Sequence, residues 1–375
     1  MKRTLIIATM SYAGMGPYVN EIVNLFKPDD NINFIFFDHD GYYQKNVKPE
    51  LIPYCKFFTE TNTKWVVIKE MLFGISSKHL RIIKQVVKEN NINIVHYLNS
   101  PVPIKVVRFL DKLGVKTLGT IHDLYPHETK KALHKMFRSK VSQVHRKINI
   151  ENSENLSTNS LDQYEELKNI YPDKNIFYFS FPSLVTKTIE QGNVVPNELI
   201  HLEGKPYILF FGRIEEYKGL RMLYNVFTST PELYQNYYLV IAGKGDVMFK
   251  RSFDARNVIW VHRYIADEEV KCLYENASCV VYPYISATQS GVLSLAFYFN
   301  TPVLASDVSF FKNIIEPNKS GILFCKGDNN DLREKLLFVL NNNTSEMVKN
   351  AKITYNQLYR PDSIRRNLLD IYNRI

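Results

Sequence analysis

Residues 207–229 read YILFFGRIEEYKGLRMLYNVFTS, a short apolar run followed by a charged turn and then a segment with 3.6-residue apolar periodicity. The run predicts a buried strand at 207–212, and the periodic segment predicts an amphipathic helix at 219–229. Continuous apolar strands that alternate with helices are typical of parallel sheets covered on both faces. This stretch therefore indicates an α/β fold.

The same alternation runs through the rest of the chain. Periodic segments at 79–90 and 104–113 predict further helices. Further apolar runs, rich in β-branched or aromatic residues, predict strands at 4–9, 33–37, 64–68, 93–98, 116–121, 237–243, 257–262, 279–283 and 302–306. The sequence therefore predicts doubly wound parallel sheets.

The alternation is interrupted at 181–206, where three prolines stand in a polar mixture. A chain of 375 residues also exceeds the usual size of one hydrophobic core. We therefore predict one Rossmann-like domain at 1–185 and a second at 186–355. Pro361 is expected to separate two helices, so that residues 356–375 form a C-terminal helix that can cross back to the first domain.

The composition, with 45% hydrophobic and 23% charged residues, is that of a soluble globular protein. The net charge of +9 is uneven, because residues 1–185 carry 25 basic and 18 acidic side chains and the rest carry 22 and 20. A basic N-terminal half favours an anionic partner, although many proteins carry such a charge without one.

The four cysteines are far apart and form no CxxC pair; they are Cys55, Cys272, Cys279 and Cys325. This spacing predicts reduced, mostly buried thiols in a cytoplasmic protein. The apolar run at the N-terminus is too short for a signal peptide. Because no run reaches the roughly 20 apolar residues that span a bilayer, contact with the inner face of the cell membrane is expected to be peripheral.

Two cations stand in the turn after the strand at 207–212. Arg213 and Lys218 are placed where a strand ends and a helix begins, which is where open parallel sheets bind ligands. A planar guanidinium and an ammonium can converge on one diphosphate. The alternative is that both cations pair with Glu215 and Glu216 on a solvated turn.

The sequence GRIEEYKGL at 212–220 resembles the GRxxxxKG motif of the family 4 retaining glycosyltransferases, whose two-domain architecture is called GT-B. Residues 282–324 resemble the same family's block of a polar loop, a helix opened by small residues, a PV-I/L-A-S strand and an NG-L-F turn. The resemblance implies two Rossmann-like domains that face across a cleft. It also implies Arg213 and Lys218 as catalytic residues, and no metal cofactor.

The loop before the predicted helix at 291–299 is the second part of the expected donor site. Ser290 and Gly291 open this helix, so the backbone N–H groups of Gly291, Val292 and Leu293 would be free to bind diphosphate oxygens. Small residues alone would indicate only a helix cap, and the resemblance adds the role in donor binding.

The sequence departs from the family at one pair of positions. The family's Glu-x7-Glu pair, which contacts the ribose and lies near the donor sugar, falls here on Ala287 and Leu295. Gln289, Thr288 or Ser290 can substitute through amide and hydroxyl hydrogen bonds. This resembles a Gln-Ser-Gly variant of the block in some members.

Two further loops in the C-terminal half match the family pattern. Gly243 resembles the family's Gly-x-Gly turn, where the absence of a side chain lets a nucleotide approach the backbone. Tyr264 and Ile265 stand in the loop that packs on the base. The alternative for both is ordinary packing in the core.

Two features of the N-terminal half also resemble the family, and a third resembles a motif of the other glycosyltransferase architecture. Gly14 and Gly16 stand before a helix that Pro17 can start, as in the glycine loop that approaches the donor sugar. His122, in an HD motif after the fifth strand, resembles the His beside that sugar, although a lone His is more often structural. Residues 38–40, Asp-His-Asp, imitate a metal-binding DxD motif, and we interpret them as a solvated loop.

Residues 129–148 carry seven Lys or Arg and no acid, with apolar residues at helical spacing. Such a basic amphipathic helix can lie on an anionic membrane, or its apolar stripe can pack into the core. Nucleic acid is not an expected partner, because aromatic residues suited to base stacking are not interleaved with the basic ones.

The resemblance implies a retaining glycosyltransferase that moves a sugar from a UDP- or GDP-sugar to a glycan or lipid-linked glycan. An acceptor on polyprenyl diphosphate, in bacterial surface polysaccharide synthesis, would suit the basic helix. Two alternatives stay open. One is a nucleotide-sugar epimerase on the same architecture, and the other is a non-catalytic GT-B scaffold subunit, which the missing acidic pair would suit.

Overall fold

The computed structural model describes most of the chain in two compact units. Unit 1 comprises Met1–Pro182 and Pro361–Ile375, and unit 2 comprises Ser183–Arg360. These bounds lie near the expected domain bounds at 185 and 355. The described residues are 2–9, 15–38, 41–59, 77–122, 124, 143–144, 146–202, 204–250, 255, 257–287 and 289–375.

Unit 1 contains a sheet of seven described strands, all of them paired in parallel. Their order across the sheet is β3-β2-β1-β4-β5-β6-β7. The strands are β1 Thr4–Ala8, β2 Ile32–Asp38, β3 Cys55–Thr59, β4 Ile94–Tyr97, β5 Lys116–Ile121, β6 Asn155–Thr158 and β7 Asn175–Tyr178.

Unit 2 contains a sheet of six described strands, also parallel, in the order β10-β9-β8-β11-β12-β13. In both sheets the order reverses direction once, as in doubly wound folds. The strands are β8 Tyr207–Phe211, β9 Tyr238–Ala242, β10 Val258–Val261, β11 Cys279–Tyr282, β12 Val303–Ser306 and β13 Ile322–Phe324.

Helices connect these strands in both units. In unit 1 they are Met15–Val23, Tyr42–Asn46, Ser77–Glu89, Ile104–Asp111, Leu161–Ile170 and Pro361–Arg374. In unit 2 they are Lys187–Gln191, Leu220–Ser229, Pro231–Asn236, Asp267–Glu275, Val292–Tyr298, Ser309–Asn318, Asn329–Asn341 and Ser345–Leu358.

Each sheet has an apolar layer on both faces. In β1, Leu5 and Ile7 belong to one buried cluster and Ile6 and Ala8 to another, because successive side chains of a strand point to opposite faces. The strands of unit 2 divide in the same way between two clusters. The predicted fold class, two doubly wound parallel-sheet domains, is confirmed.

Four strands were not predicted from the sequence, and one expected strand lies outside the described residues. The missed strands β3, β6, β7 and β13 have only three to five residues each, and several carry polar side chains, so no long apolar run marks them. The strand expected at 64–68 falls on residues that the structure does not describe. The strand expected at 116–121 has the bounds of β5, and the other expected strands differ from the observed ones by at most one residue at either end.

The helix Pro361–Arg374 packs in the core of unit 1. Ile364, Leu368 and Ile371 join the cluster under β1 and β2. The hydroxyl of Tyr372 lies 2.8 Å from Nδ1 of the buried His96 on β4. Burial lowers the pKa of His96 to about 3, so its ring is a neutral partner in this contact.

A salt bridge also holds this helix. The guanidinium of Arg365 binds both carboxylate oxygens of Asp30, which is buried. The fork of Arg matches a carboxylate in this bidentate arrangement. The last helix is therefore fixed to unit 1 by apolar packing and two polar contacts.

Close backbone contacts bring the strand ends of unit 2 together. Gly219 has a left-handed backbone (φ 67°), and a Cβ at this position would lie 1.8 Å from the carbonyl oxygen of Pro283. Such a distance is impossible for any side chain. The glycine at the end of the turn after β8 is therefore required for contact with the segment that follows β11.

The thiols differ in part from the expectation. All four described cysteines are free, but only Cys279 is buried, whereas Cys55 and Cys272 are half-buried and Cys325 is exposed. None of the helices in the described ranges is long and apolar enough to cross a membrane.

Substitution of Gly219 tests this contact. We expect Gly219→Ala to lower the midpoint of urea-induced unfolding far more than Gly204→Ala, because both glycines are left-handed but only the first has a backbone atom in the way. The left-handed conformation alone costs an alanine roughly 1–2 kcal/mol, and Gly204→Ala measures that cost in the same unit. Equal losses in the two variants would contradict the close packing of residues 219 and 283.

Candidate functional site

A buried lysine lies at the centre of the site. Lys218 is only 8% exposed, and its Nζ donates a hydrogen bond to Tyr284 Oη at 2.5 Å. The ammonium also lies 4.1 Å from the centre of the Tyr284 ring and 5.4 Å from that of Tyr217. Cations bind the faces of aromatic rings in this way. In the described part of the chain, no carboxylate forms a salt bridge with Lys218.

Burial lowers the pKa of Lys218. Desolvation is the main cause, and the nearby Arg213 lowers the pKa further, whereas Tyr217 and Glu215 raise it. An ammonium ion in a dry environment without a carboxylate partner interacts strongly with any anion that reaches it.

The loop before the helix Val292–Tyr298 meets this lysine. Tyr284 follows β11, and its Oη lies 3.3 Å from Oγ of Ser290, which is also buried. Two hydrogen bonds of Ser294 fix the start of this helix. Ser294 Oγ donates to Gly291 O at 2.6 Å and accepts from the Leu184 N–H at 3.0 Å. Two regions that the sequence analysis selected separately, 213–218 and 289–292, are thus joined through Tyr284.

Gly212 leaves a small opening, in which one Cβ atom would fit without a clash. A Cβ at this position would lie 3.8 Å from Lys218 Nζ and 3.9 Å from Val292 Cγ1. The backbone of Gly212 has φ 125°, which L-amino acids rarely adopt. The absence of a side chain therefore leaves space beside the ammonium and the start of the helix.

The backbone amides of this loop are only partly free. The N–H of Leu293 donates to Ser290 O at 3.4 Å, and the N–H of Ser294 donates to Gly291 O at 3.1 Å. The expected role of Gly291 and Val292 amides in binding a diphosphate stays a prediction.

Arg213 lies in a different environment from Lys218. Its side chain is 63% exposed, and Nη1 binds Glu215 Oε1 at 2.9 Å. The ion pair with Glu215 raises the pKa of Arg213. This is the alternative that the sequence left open for Arg213, whereas Lys218 contacts Tyr284 instead. The exposed guanidinium is near enough to influence Lys218 but has a carboxylate partner of its own.

Gly243 has a structural reason to lack a side chain. It follows β9, and a Cβ there would lie 1.9 Å from the carbonyl oxygen of Gly212. A Cβ at Gly245 would likewise lie 2.0 Å from the carbonyl oxygen of Ile214. The two glycines therefore allow the loop after β9 to pack on the loop after β8. The approach of a nucleotide to Gly243 stays a prediction.

The expected base-binding loop contains one exposed and one buried residue. Tyr264 is 76% exposed, whereas Ile265 is 7% exposed and belongs to the apolar core. Arg263 fixes this loop, because its guanidinium binds the carboxylates of both Glu198 and Glu269 at 2.7–3.0 Å. Tyr264 is thus exposed on a loop that is held by salt bridges. Ile265 instead packs in the apolar core, which was the alternative for this residue.

The two positions of the missing acidic pair have no polar role. Leu295 is 1% exposed in the core, and Ala287 packs against the same cluster. Gln289, the expected substitute, is partly buried, and its Oε1 has no hydrogen-bond partner among the described residues. An amide oxygen in this position is available to accept a hydrogen bond from a ligand.

The expected site residues of unit 1 are described in part. His122 follows β5, its Nε2 lies 3.2 Å from Leu98 O, and its ring meets the Tyr18 ring edge-on at 4.6 Å. Gly16 lies inside the helix Met15–Val23, not before it as expected, because the helix begins two residues ahead of Pro17. Gly14 lies outside the described residues.

Two further features of the sequence also fall largely outside the described residues. For Asp38-His39-Asp40, the structure places only the backbone of Asp38, at the end of β2. Within 129–148 it describes residues 143–144 and 146–148, where Val144 and Ile148 are exposed. A membrane contact of this segment stays a prediction.

Tyr284 and His96 were not among the residues predicted from the sequence. Tyr284 stands directly after the strand run CVVYP, where an aromatic residue is most simply interpreted as part of the core. Its position is the sequence signal, because Tyr284 follows β11, which lies next to β8 in the sheet, and Arg213 and Lys218 stand directly after β8. His96 stands inside an apolar strand, and its network with Tyr372 and Thr120 depends on contacts that no local pattern reveals.

Comparison with known proteins matches part of the chain to a protein family. Residues 195–356 match the family model of the glycosyl transferases group 1. Over 140 residues the chain is 28% identical to a phosphatidyl-myo-inositol mannosyltransferase from Mycobacterium leprae. That match covers 36% of this chain and only 37% of the relative.

Solved structures resemble the fold over the full chain. A sucrose-phosphate synthase from Thermosynechococcus elongatus gives a TM-score of 0.70 at 18% identity, covering 100% of this chain and 99% of its own. Anabaena HepE in complex with UDP gives 0.71 at 13% identity and covers 100% of both chains. Residues 195–356 are therefore similar to the glycosyl transferases group 1, and the chain has the GT-B fold of these solved structures.

Proposed function

We propose that this protein is a retaining glycosyltransferase that takes its sugar from a nucleotide-diphosphate donor. The observation that carries the proposal is the buried ammonium of Lys218, which has no carboxylate partner in the described chain and lies beside the opening at Gly212. A diphosphate in this opening would supply the missing negative charge. The similarity to the glycosyl transferases group 1 supports the same class of reaction.

In the proposed reaction, the bond between the sugar's anomeric carbon and the diphosphate oxygen breaks, and a bond to the acceptor oxygen forms on the same face. Negative charge grows on the departing diphosphate, and Lys218 stabilises it from a dry environment. The exposed guanidinium of Arg213 adds positive electrostatic potential at the diphosphate, and the Ser290 hydroxyl can donate a hydrogen bond to it. The acceptor's proton passes to the departing phosphate oxygen, so no carboxylate base is needed.

The nucleotide is proposed to be a UDP- or GDP-sugar. HepE structures are described in complex with UDP and with UDP-glucose, which supports a uridine nucleotide by analogy. The proposed acceptor is a glycan or lipid-linked glycan, including one on polyprenyl diphosphate, in bacterial surface polysaccharide synthesis. Support comes from a structural neighbour, WaaG, described as a glycosyltransferase involved in lipopolysaccharide biosynthesis, with a TM-score of 0.60.

The proposed chemistry assigns neutralisation of the diphosphate to side-chain cations and requires no metal ion. The catalytic role of His122 and the contact of Tyr264 with the base are further parts of the proposal. A strict requirement for a divalent cation would contradict the first assignment.

Substitution of Lys218 tests the central assignment. We expect Lys218→Met to weaken UDP or GDP binding by roughly 10- to 100-fold, as for loss of a charge-assisted hydrogen bond, and to lower turnover by about 100- to 1000-fold. Arg213→Ala should have a smaller effect, because water screens its exposed charge. Calorimetry measures binding, and acceptor-dependent release of nucleoside diphosphate from UDP- and GDP-sugars measures turnover.

A matched control exists in the same unit. Lys205 also donates to a tyrosine hydroxyl and lies over that ring, at Tyr238, but on the exposed surface. Lys205→Met should bind nucleotide as the wild type does. Wild-type affinity in Lys218→Met would refute the assignment.

Conversion of the nucleotide sugar without any acceptor would favour an epimerase, and nucleotide binding without turnover on any acceptor would favour a scaffold.

The pH dependence of nucleotide binding offers a second test. The charged form of Lys218 exists below its pKa, and burial lowers that pKa from the ordinary lysine value. We therefore expect UDP or GDP affinity to fall as pH rises, beginning at a lower pH than that at which an exposed lysine loses its proton. Lys218→Arg keeps its charge throughout and should remove the decline, and a decline of the same size in that variant would contradict this origin.

A further inference from the structure

Chemistry fixes the direction of one of the two hydrogen bonds that join Lys218, Tyr284 and Ser290. An ammonium group only donates hydrogen bonds, so Tyr284 Oη must accept from Lys218. The phenol then has one proton of its own to donate. Among the described residues, Ser290 Oγ at 3.3 Å is the acceptor within reach. Either hydroxyl can be the donor in this contact; when Tyr284 donates, the hydroxyl proton of Ser290 is left to point elsewhere.

We propose that Tyr284 is a positioning residue, which fixes the Lys218 ammonium and the Ser290 hydroxyl as two donors toward one diphosphate. This inference rests on the proposed function of the site. Lys218 stands after β8 and Ser290 stands before the helix Val292–Tyr298, so without Tyr284 no side chain described here joins them.

The environment of Tyr284 suits this role. The side chain is buried, and its ring packs edge-on against Phe311, with centres 5.1 Å apart, and against Tyr217 and Tyr282. Its carbonyl oxygen accepts from Ser306 Oγ at 2.7 Å. A ring held on several sides keeps its hydroxyl in one place. The same ring lies against the ammonium, so Tyr284 limits the position of Lys218 through both its face and its oxygen.

The hydroxyl can be removed while the ring stays. We expect Tyr284→Phe to weaken binding of UDP or GDP by about 5- to 10-fold, the usual effect of one hydrogen bond, with a smaller effect on UMP or GMP. Ser290→Ala should weaken the same binding in the wild-type background but add little in Tyr284→Phe, because both changes break one network. A double-mutant cycle from calorimetry measures this coupling.

The pH profile separates positioning from a purely structural role. Groups that face the ammonium are Tyr217, Glu215, Arg213 and Tyr284. Tyr284→Phe takes away the acceptor that stabilises the charged amine, so nucleotide binding should decline at a lower pH than in the wild type. Tyr207→Phe is the matched control, since it removes a buried hydroxyl that bonds to Leu273 O in the same unit. Its affinity and pH profile should equal those of the wild type.

The outcomes are distinct. One outcome is that the wild type binds UDP or GDP tightly and that Tyr284→Phe has the same affinity, effects that add to those of Ser290→Ala and an unshifted pH profile. This outcome would overturn the positioning role and leave the proposed function intact. Failure of the wild type to bind any of the four nucleotides would overturn the proposed function itself. If Tyr284→Phe does not fold, Ser290→Ala alone decides, because wild-type affinity in that variant would show that its hydroxyl is not a donor to the diphosphate.

Discussion

A protonated amine is expensive to remove from water, and the burial of Lys218 is the constraint on which the arrangement around it depends. The ammonium is held by two aromatic faces and one phenol oxygen, in place of a carboxylate. These partners stabilise the charge without neutralising it. Glu215 is near enough to raise the pKa of Lys218, but its salt bridge is with Arg213, so the site keeps a buried positive charge that can stabilise a growing negative charge.

The glycines near this lysine show how packing and ligand access are combined. Gly219 and Gly243 cannot carry a side chain, because each lies against a carbonyl oxygen, of Pro283 and of Gly212. Gly212 is different, since a Cβ there would meet only Lys218 and Val292 at ordinary distances. The same residue type thus serves tight backbone packing at two positions and leaves an opening at the third. A glycine pattern in a sequence does not distinguish these uses.

The fold could largely be predicted from the sequence because long apolar runs and helical periodicity report burial directly. The short strands β3, β6, β7 and β13 were missed, since three to five residues with polar members carry no such signal. At the site, the motif with Arg213 and Lys218 was recognised as a unit, yet the two cations differ. Arg213 is paired with Glu215, whereas Lys218 is buried against Tyr284, a contact that lies 66 residues further along the chain and that no local pattern reveals.

The helix Pro361–Arg374 sets the order in which the molecule can be completed. Its apolar face fills part of the layer under β1 and β2, and its Tyr372 and Arg365 reach His96 and Asp30. During translation, the first unit must therefore emerge from the ribosome with that surface of its sheet uncovered. Unit 2 can bury its core with its own residues as soon as they have been synthesised. Unit 1 completes its core only after residues 361–375 have been made.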